Sequence, residues 1–251
     1  MRLNRVCGLL RVTCRLSALA LMLVPALAQS VRAASSAAAA PEWFDTPLVR
    51  LEALALIQTL NAELLSSNSA TTTLERWCQT HALADPPVIL ARRTDTVQEP
   101  PRGATRQDLQ LSEHEPVRYR RVELVCGDHV LSVAENWYAP DRLTAAMNQQ
   151  LETTQTPFGK VVQPLRPHRE TIAAQVLWSP LPAGWETAGR AESGPAADRL
   201  ELPAALFEHR AVLYTPDHRA IAEVHEVYQR DVLAFPEPQL GVQSERLRAT
   251  R

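Results

Sequence analysis

Lysine is almost missing from this chain. Lys160 is the single one in 251 residues, so arginine supplies the basic side and Schiff-base chemistry would have one residue to use. Glycine is scarce, 8 residues against 19 prolines, which argues against a Gly-rich phosphate cradle and for many loops. Cysteine is limited to four residues with no CxxC pair, and the seven histidines form no HExxH. The nearest approach, His225-Glu226, lacks the second His. No metal site is therefore expected. Alternating βα units are also absent, which disfavours Rossmann and TIM architectures. Apolar residues at 45% and charged residues at 22% exclude a collagenous, coiled-coil or mainly disordered chain.

The N-terminus is informative. Arg2, Arg5, Arg11 and Arg15 make a basic start without an acid. An apolar run, Leu16 to Leu27, follows and ends in Ala26-Leu27-Ala28. This is the three-part pattern of a secretory signal, so residues 1–28 predict a periplasmic or secreted protein, the segment being cleaved or kept as an anchor. The run is shorter than the roughly 20 apolar residues of a membrane span, and no stable span is expected after cleavage. Four of the 26 basic residues leave with the signal, so 22 face 28 acids, a balance of −6. That argues against nucleic-acid binding; a monomer is expected. Cys78 and Cys126 remain, either as one disulfide or as two separate buried thiols.

Residues 29–46 read as a flexible leader, 47–235 as the folded domain and 236–251 as a polar tail. Leu48, Leu51, Ala55, Leu56, Leu60 and Leu64 recur at helical steps from Pro47. Ser66 to Thr73 is a polar break before a short helix at Thr73-Leu74-Glu75-Arg76, and Pro86-Pro87 stops that element. Val88 to Ala91 is a short strand, and 94–116 a long loop. Tyr119–Cys126 and Val130–Tyr138 form a hairpin across Gly127-Asp128-His129. Asp141 starts a helix with Leu143, Met147 and Leu151, and Thr156–Gly159 is a turn. Thr171–Trp178 reads as a strand, 180–203 as an inserted loop. Glu208–Tyr214 and Ala220–Phe235 make a second hairpin. Helices followed by hairpin-connected strands indicate an α+β domain with an antiparallel sheet.

Some charged residues stand on apolar lines. Period-two alternation places Glu226 with Ala222, Val224 and Tyr228, and Glu135 with Leu131, Val133 and Trp137. A buried carboxylate costs several kcal/mol unless paired or protonated, so each is either an acid–base candidate or a structurally paired group. Arg121, sharing a face with Glu123 and Val125, and Arg210 could each fork onto a substrate carboxylate or make a surface salt bridge.

The series Tyr119–Cys126, Gly127-Asp128, Pro140, Leu143-Thr144 and Thr156-Pro157-Phe158-Gly159-Lys160, with Glu226 on the last strand, resembles the chorismate lyase (chorismate pyruvate-lyase) family over roughly residues 50–235. The resemblance implies one antiparallel, six-stranded sheet covered by helices around an internal ligand site. It also implies cofactor-free elimination of pyruvate from chorismate to give 4-hydroxybenzoate. It places the carboxylate-binding Arg at Arg121 and the acid near the ether oxygen at Glu226. The backbone N–H donors fall at Phe158 and, more loosely, Thr73. Glu135 stands where the family has Gly, Asn136 where it has Arg, and Phe158 where it has Leu. Three readings follow: an exported lyase, an exported binding module for a small aromatic or carboxylic acid, and a structural protein.

Overall fold

A computed structural model describes residues 43–94, 99–101, 103–187 and 198–238, all within one compact unit, Ala40–Arg251. The expected signal, most of the leader, the middle of the 180–203 loop and nearly all of the tail lie outside these residues.

Helix α1 (Pro47–Leu65) starts where Thr46 accepts a hydrogen bond from the Val49 amide, with Pro47 at its first position. Its buried stripe is Val49, Ala53, Ile57, Leu60 and Leu64, whereas Leu48 and Leu51 face solvent. The expected stripe is therefore rotated: apolar residues surround this helix, so two stripes have the same period. Helix α2 (Ala70–Thr80) is capped by Ser69, four residues before the expected start, and buries Leu74, Trp77 and Cys78. The 94–116 segment contains a short helix, α3 (Gly103–Asp108). The helix expected from Asp141 divides into a 3-10 turn, Pro140–Arg142, and α4 (Ala145–Thr153), capped by Thr144. Residues Phe158–Val161 form α5, one helical turn.

The six strands are β1 (Ile89–Arg93), β2 (Arg118–Cys126), β3 (His129–Tyr138), β4 (His168–Val176), β5 (Ala205–Tyr214) and β6 (Ala220–Gln229). All pair antiparallel in the order β1-β2-β3-β6-β5-β4, so the fold is α+β with one six-stranded antiparallel sheet. Strand β4 begins three residues before the expected one. The β2–β3 turn is tighter than expected, with Cys126 opposite His129. Gly127 takes φ +57° there, and a Cβ on it would sit 2.8 Å from the Ala84 Cβ, so this turn requires glycine. Cys78 and Cys126 form a disulfide that ties α2 to the end of β2.

The two sheet faces differ. Helices α1 and α2 pack over Val122, Leu124, Ala134, Phe207 and Tyr228, and α4 and α5 over Ala211, Leu213 and Val224. On the other face a smaller cluster of Tyr119, Trp137, Val212 and Ala220 packs with Leu109, just after α3. No helix among the described residues is long and apolar enough to cross a membrane.

Candidate functional site

Register decides which side chains meet. Val122, Ala134, Glu226 and His209 lie in one row across β2, β3, β6 and β5, beneath the helices. The adjacent row, Arg121, Glu135, His225 and Arg210, points to the opposite face. Arg121 and Glu226 are thus on opposite faces of the sheet. The β2 arginine buried on the helix-covered face is Arg120, 1% exposed. A one-residue change of parity exchanges faces, and two adjacent arginines hide it from a sequence reading.

A cavity of ≈ 40 Å³ lies on the covered face. Its floor includes Asn136, Val224, Leu213 and Glu226, and its cover is the α2 N-terminus and the start of α5 at Phe158-Gly159. Arg169 on β4 completes the wall. Its side chain is only 4% exposed, and Glu226 beside it only 8%. Arg169 Nη1 donates to Glu226 Oε2 at 2.6 Å, and the buried Tyr228 hydroxyl donates to the same oxygen at 3.1 Å. Burial, and then the nearby Glu226 charge, push the Tyr228 phenol well above its usual range, so it stays a donor at neutral pH.

The guanidinium is half used. Nε and Nη2 of Arg169 are buried and have no hydrogen-bond partner among the described residues. They form the side-on edge of the guanidinium, the two parallel donors that match the two oxygens of a carboxylate. The cover adds donors: at the start of α2 the Ala70 and Thr71 amides have no carbonyl to bond within the helix. Behind the ion pair, His209 Nε2 lies 2.7 Å from Asn61 Oδ1. Burial, then the charge of Arg169, push the His209 imidazole down to about 4. His209 is thus neutral at pH 7, donating from Nε2 to Asn61, and its buried Nδ1 has no hydrogen-bond partner among the described residues.

The other expected site residues fall as follows. Phe158 lines the cavity. The Thr73 amide is committed to the Ser69 carbonyl at 3.2 Å inside α2, so it is not available to a ligand. Glu135 accepts from the Tyr119 hydroxyl at 2.7 Å and from Arg121 Nη1 at 3.4 Å. The His225 ring sits between Glu135 at 3.3 Å and Glu208 at 3.1 Å. Arg210 Nη2 donates to Glu223 at 2.5 Å. Arg121, Glu135, His225 and Glu208 form a paired network on the outer face, with Arg210–Glu223 a second ion pair there, and these charges are balanced by one another rather than by the cavity. Arg169 escaped the sequence reading because β4 begins with His-Arg-Glu, which carries no apolar alternation. The one available signal was its position two residues before Thr171, in phase with that strand.

No protein-family model matches the chain. Among solved structures, PhnF from Mycobacterium smegmatis shares 12% identity with a TM-score of 0.42, over 70% of this chain and 71% of that one. The ligand-binding domain of a putative GntR-family transcriptional regulator from Bordetella bronchiseptica shares 16% at a TM-score of 0.37, over 57% and 83%. Likeness at this level does not extend to a shared ligand. In sequence, an uncharacterized protein of Sinorhizobium fredii, y4mC, is 46% identical over 203 residues, 79% of this chain and 84% of the relative. At that identity and coverage the chain belongs to the same family as Sinorhizobium fredii y4mC.

Proposed function

We propose that this protein binds a small carboxylic acid in the cavity between the sheet and the start of α2 and α5. The observation that carries the reading is Arg169 on the cavity wall, whose buried Nε and Nη2 have no hydrogen-bond partner among the described residues. An unpaired buried donor costs about 1–3 kcal/mol, and a carboxylate would satisfy both donors at once. The cavity is small. At ≈ 40 Å³ it holds about three waters, so a benzoate-sized ring enters only as α2 and α5 part from the sheet.

A second reading is elimination of pyruvate from chorismate. It is favoured by the position of Glu226 and the Tyr228 hydroxyl beside the anchor, where a proton could be passed to a leaving oxygen. One experiment separates the two. The purified chain is incubated with chorismate and assayed for pyruvate, and its melting temperature is measured with and without 4-hydroxybenzoate and pyruvate. Stabilisation by an acid without pyruvate release supports binding alone. Release above the spontaneous rate, lost in Glu226→Gln, supports the lyase. Neither signal removes both readings.

Export is proposed on the same footing. The Cys78–Cys126 disulfide suits an oxidising compartment, as the signal-like start requires. Cell fractionation should place the chain outside the cytoplasm, with a mature N-terminus at about Gln29; a full-length cytoplasmic chain would overturn it.

A further inference from the structure

We propose a surface site for a zinc-class divalent cation, formed by His168 and Glu170 of β4 and His218 of the β5–β6 turn. One ligand atom from each lies within 4.8 Å of the other two. His168 and Glu170 are two apart on a strand and so share its outer face. Their Nε2 and Oε1 atoms are 3.2 Å apart. Two atoms bound tetrahedrally at about 2.0–2.1 Å from zinc are separated by about 3.3 Å, so this pair already has the spacing of one tetrahedral edge.

His218 closes the set from a different element. The turn is fixed by the Thr215 amide on the Arg219 carbonyl at 3.0 Å and the His218 amide on the Thr215 carbonyl at 2.9 Å. His218 takes φ +59°, where glycine would sit without strain. This brings its ring to 5.5 Å from the His168 ring, edge to face. Tyr214, directly opposite His168 in the ladder, stacks on that imidazole at 5.4 Å and holds its plane.

The donor set selects the ion. Two imidazoles and one carboxylate suit zinc, nickel or copper, and not calcium or magnesium, which want oxygen alone. Three protein ligands leave a fourth position for water or a ligand. The sequence reading expected no metal because it sought contiguous motifs, whereas this set joins residues fifty apart. The bound ion would fasten an edge strand to the neighbouring hairpin.

The test is calorimetric titration of zinc chloride into the full, untagged, chelator-treated chain, with the melting temperature followed in parallel. One equivalent should bind, the melting temperature should rise by a few degrees, and chelator should reverse it. His218→Ala and His168→Ala should each weaken binding at least about tenfold, while His114→Ala leaves it unchanged. Copper loaded in place of zinc should show two nitrogen donors by electron paramagnetic resonance, one being lost in His218→Ala. No binding up to about 1 mM zinc, or equal affinity in wild type and both cluster variants, overturns the site.

Discussion

Arg169 is half committed. Its Nη1 neutralises Glu226, while its buried Nε and Nη2 have no hydrogen-bond partner among the described residues. Lysine would keep the charge but not the fork. Arg169→Lys should therefore retain the fold while weakening binding of the stabilising acid by about tenfold or more, read as a smaller ligand-induced rise in melting temperature. If Arg169→Lys is stabilised by the acid as strongly as wild type, the anchor lies elsewhere. His209 gives a pH signature. Its folded pKa of about 4 is below the ordinary 6.5, so unfolding takes up a proton between those values. The stability this neutral histidine contributes is whole above pH 6.5 and lost as pH falls toward 4. Melting temperature should drop over that window, and the drop should be shallower in His209→Gln; an identical slope would show that other groups set it.

At the scale of elements, the disulfide joins α2, part of the cavity cover, to β2, part of its floor. Closing a loop of 48 residues is worth about 4 kcal/mol by the chain-entropy estimate, so reduction should lower the urea midpoint clearly. An unchanged midpoint would place the stabilisation in the noncovalent packing of α2. Elements also differed in how legible they were. Strands β2, β3, β5 and β6 were readable from alternation because one of their faces is buried. Strand β4 is an edge on which six of nine residues are exposed and the other three partly buried, and its opening residues His168-Arg169-Glu170 are polar, so alternation does not reveal its start, with Arg169. Glu226 was legible as a carboxylate on an apolar line. The choice between Arg120 and Arg121 was not, because each is a guanidinium and only the pairing register tells which is covered.

Over the whole molecule, the sheet separates two kinds of polar chemistry. The covered face holds a cavity with unspent donors, whereas the outer face holds Arg121, Glu135, His225 and Glu208 in a network that satisfies itself. The strand order carries a further consequence, in time rather than in space. The centre of the sheet is β3 against β6, where Ser132 meets Tyr228 and Tyr138 meets Ala222. At a synthesis rate of about 5–20 residues per second, β3 leaves the ribosome several seconds before its partner exists. Until then the nascent chain keeps an open strand edge and cannot complete the cavity floor.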